Sequence, residues 1–78
     1  MMFSEIYPNI EWWVDSHGWI EIGEDEHSTS WIRILDIGGN CWEDEDSEYL
    51  DDALRKADIW ISSEIVNRFG EKPPKKYD

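Results

Sequence analysis

The sequence predicts an α+β protein: a three- to four-stranded antiparallel β-meander covered on one face by a single long C-terminal helix, in two layers. Three observations lead there. Residues 10 to 42 hold short apolar runs of strand length separated by turn chemistry. Residues 49 to 69 carry the one long stretch in which apolar side chains recur at three- and four-residue steps. A small sheet is unstable with both faces bare, and an amphipathic helix needs a surface, so each supplies what the other lacks.

Met1 to Pro8 is weakly patterned; Met2, Phe3, Ile6 and Tyr7 suit a short lead-in strand or a flap over a core edge. Pro8 and Asn9 then interrupt any regular element. Ile10 to Val14 alternates, with Ile10, Trp12 and Val14 on one face and Glu11 and Trp13 on the other, and reads as a strand. Asp15-Ser16-His17-Gly18 is turn chemistry, and Trp19 to Ile22 is the partner strand of the resulting hairpin. Gly23 to Ser30 has no apolar residue and reads as a solvated loop. Trp31 to Ile37, apolar on both faces around a lone Arg33, reads as a central strand. Asp36 to Asn40 supplies a tight turn, after which Cys41 and Trp42 open a short last strand that runs into the acids 43 to 46.

The helix is predicted over Tyr49 to Phe69. Leu50, Ala53, Leu54, Ala57, Ile61, Ile65 and Phe69 form its apolar stripe. Asp51, Asp52, Arg55, Lys56, Asp58, Ser62, Ser63, Asn67 and Arg68 fall mostly on the watered side. Ser47 or Asp46 is the expected N-cap. Gly70 is suited to close the helix, and Pro73 prevents its continuation. Residues 1–70 therefore read as a single domain. Residues 71–78, with two prolines, three lysines and Tyr77 as sole anchor, read as a flexible tail.

Composition narrows the function. Nineteen acids face seven bases, a net charge of −12 on 78 residues. A field of that sign opposes nucleic acid phosphates and anionic lipid, so the expected macromolecular partner is another protein with a basic or apolar surface. No apolar run approaches a membrane span and no secretory leader is visible. The single cysteine, Cys41, excludes an internal disulfide and favours a reducing, cytoplasmic setting.

No motif calls for catalysis, a cofactor or a metal. The acidic run Glu43 to Asp52 has seven carboxylates in ten residues, but counted from Asp44 the sixth position of a calcium loop is Tyr49 and the twelfth is Arg55. His17, His27 and Cys41 lack the paired spacing of a zinc site. Ser16 beside His17 is a turn, since neighbouring side chains do not converge, and no phosphate-cradling or nucleophile-elbow motif occurs.

The expected contact surface is the sheet face left open by the helix. If Ile10, Trp12, Val14, Ile20, Ile22, Ile32 and Ile34 face the helix, then Trp13, Trp19, Trp31, Leu35 and Ile37 face outward beside Arg33, and a large exposed apolar patch signals contact. Trp13, Trp19, Trp31 and Arg33 are the candidate binding residues, and a homodimer over that face is a linked expectation. The alternative is mimicry: Glu43, Asp44, Glu45, Asp46, Asp51 and Asp52, with the acids of the 24–26 loop, would stand where a basic groove expects phosphates.

The stretch Gly38-Gly39-Asn40-Cys41-Trp42-Glu43, followed by Tyr49-Leu50-Asp51-Asp52-Ala53-Leu54-Arg55-Lys56-Ala57, resembles the turn, short strand and helix start of many small uncharacterised bacterial β-meander-plus-helix proteins. It is also similar to the last strand and helix of HicB-type antitoxins. The resemblance covers about a third of the chain. It implies a small sheet packed by a helix, and for the mimicry alternative an antitoxin-like role. The aromatic-rich Trp12-Trp13 region departs from the HicB pattern of small residues.

Overall fold

A computed structural model describes residues 1–24 and 30–77. The element order is α1 (Phe3–Ile6), α2 (Pro8–Ser16), β1 (Trp19–Ile22), β2 (Ile32–Asp36), β3 (Gly39–Glu43) and α3 (Leu50–Asn67). The chain is α+β, with three antiparallel strands in the order β1-β2-β3 and a C-terminal helix of 18 residues.

The largest correction concerns residues 1 to 16. The expected lead-in strand is the short helix α1, and the expected strand 10–14 lies inside α2. Pro8 starts α2 rather than breaking a strand: it stands at N1, where the missing N–H costs nothing and the fixed φ suits a helix. Ile10 and Trp13 then lie one helical turn apart and are both buried, while Val14 is exposed. The alternation of Ile10, Trp12 and Val14 is coincidental, because aromatic residues on both sides satisfy either period.

Strand β1 and the turn before β3 lie where the sequence put them. Trp19, Ile20, Glu21 and Ile22 oppose Leu35, Ile34, Arg33 and Ile32 in unbroken register. Between β2 and β3, Ile34 opposes Trp42 but Leu35 opposes Asn40, so Cys41 is the extra residue of a bulge. Asp36 Oδ1 accepts the Gly38 N–H at 2.8 Å to shape the turn, and Gly39 takes a φ of 114° that a residue with Cβ rarely adopts.

Ile32 and Ile34 point into a core completed by Ile10 and Trp13 of α2 and by Ala53, Leu54, Ala57, Ile61 and Ile65 of α3. Trp60 joins it through a stacked pair with Trp42, ring centroids 6.3 Å apart, and an edge contact with Trp13 at 5.9 Å. Phe69, beyond the helix rather than in it, packs edge-on against Trp12 and His17. Gly18 is required by close approach: a Cβ there would come within 2.1 Å of the Leu35 carbonyl oxygen.

Helix α3 starts after Tyr49, which makes no side-chain cap bond, so the expected cap by Ser47 or Asp46 is corrected. Asp44 accepts from Ser47 instead, at the backbone N–H and at Oγ. At the far end, Gly70 at φ 66° turns the chain; its N–H bonds Val66 O, and the Glu71 N–H reaches back to Ile65 O.

Asp58 and Ser62, expected on the watered side of α3, are buried, because α3 packs against α2 as well as the sheet. Asp58 does for α2 what Tyr7, at its N-cap, does not. Its Oδ1 accepts the Ile10 N–H at 2.9 Å, an orphan donor of the first turn, near the positive end of the helix dipole. Its Oδ2 accepts from Asn9 Nδ2 at 3.2 Å and from the Tyr77 hydroxyl at 2.6 Å. Burial and this carboxylate together push the Tyr77 pKa well up. Asn9 also exchanges two hydrogen bonds with the Lys75 backbone, and Pro73 is buried. The segment expected as a flexible tail is thus tied to α2 and α3 at both Lys75 and Tyr77.

Candidate functional site

Side chains alternate across a strand, so the residues opposite Ile32 and Ile34 define the second sheet face: Trp19, Glu21, Arg33, Leu35 and Glu43. Four residues were expected to form its contact patch, and the structure separates them. Trp13 is not on the face at all. It is 0 % exposed, and its Nε1 donates to the Leu35 carbonyl at 3.0 Å. Its helix carries it into the core, which corrects its assignment as a surface residue.

Trp31 is half-buried, packs against the core and spends its indole N–H on the Ser47 carbonyl at 2.8 Å. Arg33 is buried and acts as a strap. Its Nε bonds Glu21 Oε1 at 3.2 Å, its Nη2 the Gly23 carbonyl at 2.8 Å and its Nη1 the Ser30 carbonyl at 3.1 Å. Ser30 Oγ in turn donates to Glu43 at 3.2 Å. The Glu21–Arg33–Glu43 row is therefore tied together across three strands and holds both ends of the 23–30 connection. Trp19, 44 % exposed and directly opposite half-buried Leu35, is the most exposed of the four predicted residues.

The acidic candidates also divide. Asp44 is buried and used by Ser47, so it presents no charge outward. Asp46 pairs with Lys56 at 3.2 Å, both exposed enough for water to screen the pair. Asp51 accepts from the Tyr7 hydroxyl at 3.4 Å; burial first, and then this carboxylate, raise the Tyr7 pKa. Glu45 is exposed, while Glu43 and Asp52 are half-buried. Residues 40 to 46 and Lys56 line an open hollow of about 500 Å³. Of the 24–26 acids, Asp25 and Glu26 lie outside the described residues, as does His27.

The sequence did not single out Asp36, which gathers a polar cluster from three elements. It is buried; its Oδ2 meets His17 Nε2 and Arg68 Nη2, each at 3.0 Å. The Gly38 N–H first, then Arg68 and His17, hold its pKa down at about 2. The cluster joins the end of α2, the β2–β3 turn and the end of α3. Cys41 lies beside it, donating to Gly39 O at 3.7 Å; burial and then the Asp36 charge push its pKa up, the wrong direction for a thiolate nucleophile. Its chemistry is that of a clamp. A periodicity scan cannot find such a group, since the three residues are distant in sequence.

Among the described residues no group of three or more His, Cys, Asp or Glu is placed to hold a metal ion, and no helix is long and apolar enough to cross a membrane. These features define a small acidic, tryptophan-rich α+β domain. Comparison with known proteins finds no match: no family model, no curated protein and no solved structure is similar to the chain.

Proposed function

We propose that the chain is a non-enzymatic cytoplasmic domain that works by contact with another protein. The reading takes the fold as two layers, with α2 and α3 on one side of the sheet and the Trp19 side turned toward the partner. The observation that carries it is the 44 % exposure of Trp19 beside Leu35 on that side. A tryptophan held on a rigid strand is the kind of side chain that dominates interface energetics. The partner presents an apolar pocket for the indole within a basic surround that complements the net charge of −12.

Affinity capture with the tagged chain, run at low and at high salt beside a Trp19→Ala variant, tests this. The expected result is a partner retained by the wild type at both salt concentrations and lost by Trp19→Ala. Equal capture by Trp19→Ala overturns it.

A second reading has its own support in the open acidic hollow of about 500 Å³. A basic groove seated on Glu43, Glu45 and Asp46 would make the chain an inhibitor or antitoxin-like mimic of a polyanion. That contact weakens steeply as salt rises and is indifferent to Trp19.

A further inference from the structure

We infer that the outer edge of β1 accepts an extended segment of another protein, one whose apolar side chains alternate with basic ones. The inference rests on the proposed reading of the chain as a protein-contact domain and names the edge and the partner chemistry.

The two edges of the sheet differ. The β3 edge is broken by the bulge at Cys41, a device that discourages strand addition. The β1 edge has no bulge, no proline and no lysine, and its register with β2 is regular through four pairs. Backbone polarity can be read from two bonds. The Gly23 N–H donates to Trp31 O at 2.7 Å, which makes 23 and 31 a hydrogen-bonded pair. Antiparallel pairs alternate in type, so Glu21–Arg33 and Trp19–Leu35 are hydrogen-bonded as well. The bond from the Asp44 N–H to Ile32 O shows the same alternation from the β3 side, with Ile32 and Ile34 turned to β3 and Arg33 and Leu35 to β1. Ile20 and Ile22 therefore direct their N–H and C=O groups away from β2. Among the described residues no hydrogen bond takes up those groups.

The side chains at this edge state what an added strand would meet. Ile20 and Ile22 lie on the core side, and Ile22 is 51 % exposed, so an apolar residue beside it would extend the buried layer. Trp19 and Glu21 lie on the other side, where Glu21 also pairs with Arg33 at 3.2 Å. Successive residues of an added strand thus face apolar surroundings on one side and the Trp19 ring and half-exposed Glu21 carboxylate on the other, which an apolar–basic alternation satisfies on a chain of net charge −12. A second copy fits less well. Pairing about Glu21 sets two glutamates opposite each other, and any pairing joins two chains of net charge −12.

The test uses the full chain and a fluorescent peptide of about eight residues alternating valine and lysine, a typical strand length. A peptide of equal charge with prolines in place of half the valines controls for simple charge attraction. The variant is Ile22→Pro, which removes an outward N–H while sparing the β1–β2 bonds; its melting curve verifies the fold.

The expected result is binding of the Val–Lys peptide, a loss of at least about tenfold for the proline peptide and for Ile22→Pro, and amide shifts confined to β1. Equal binding of both peptides, or undiminished binding by Ile22→Pro, overturns the edge proposal. If Trp19→Ala alone abolishes binding, the edge proposal fails while the contact reading survives. A concentration-dependent dimer lost in Ile22→Pro would assign the edge to a second copy and overturn the basic partner.

Discussion

Replacing Asp58 by alanine tests the packing of this fold at its least expected point. The carboxylate is fully buried, forms no salt bridge among the described residues, and satisfies the Ile10 N–H, the Asn9 amide and the Tyr77 hydroxyl. Loss of the cap on α2 costs about 1 kcal/mol. Leaving the Tyr77 hydroxyl without this acceptor adds about 1–3 kcal/mol, while the Asn9 amide keeps the Asp58 and Lys75 carbonyls. The total is then about 2–4 kcal/mol. Domains carry about 0.05–0.15 kcal/mol of stability per residue, so a chain of 78 residues holds about 4–12 kcal/mol. The variant therefore loses between about a sixth and all of its stability. Urea unfolding followed by far-ultraviolet circular dichroism measures it as a lower midpoint at unchanged slope. Tyr77→Phe removes one of the three donors and is expected to cost about 1 kcal/mol while opening the C-terminal segment to protease. A stability for Asp58→Ala within about 0.5 kcal/mol of wild type, the range of neutral surface changes, would refute the cross-helix cap.

Three further outcomes follow from named contacts. Trp13→Ala empties a fully buried site and is expected to cost about 3–5 kcal/mol in the same urea assay, where a binding-face tryptophan would cost almost nothing. Gly18→Ala drives a Cβ into the Leu35 carbonyl oxygen and should cost about 1–3 kcal/mol, read as a lower melting temperature. The Asp36 pKa falls from 3.8 to about 2 on folding, so the folded form binds fewer protons; its stabilisation is complete above 3.8 and is lost as pH falls toward about 2. Melting temperatures taken across the acid range should therefore show a limb in that window that Asp36→Asn flattens.

Half of the architecture was legible because local periodicity decided it. The stripe from Leu50 to Ile65 is satisfied by a helix, and Trp19–Ile22, too short for a helix between Gly18 and Gly23, reads as a strand. Residues 10 to 14 were illegible by period alone, since Ile10, Trp12, Trp13 and Val14 are apolar at nearly every position. The deciding signal was Pro8, which serves equally as a breaker or as the first residue of a helix. The second helix then changed everything downstream. It took Trp13 into the core and widened the buried arc of α3 to include Asp58 and Ser62. The candidate patch shrank for a related reason. A strand's face can be read from the sequence, but the hydrogen bonds that consume Trp31 and Arg33 depend on Ser47, Gly23 and Ser30, which only the fold brings near. Asp36 eluded the sequence likewise, because His17 and Arg68 reach it from opposite ends of the chain.

The central claim is that this chain works by contact through the Trp19 side of its sheet. Its most direct test is capture of partner protein by wild type and by Trp19→Ala at matched stability, with Glu45→Gln/Asp46→Asn as the control for the acidic hollow. The account predicts that Trp19→Ala loses the partner at low and high salt while the acidic variant retains it. Retention by Trp19→Ala together with loss by the acidic variant would contradict it.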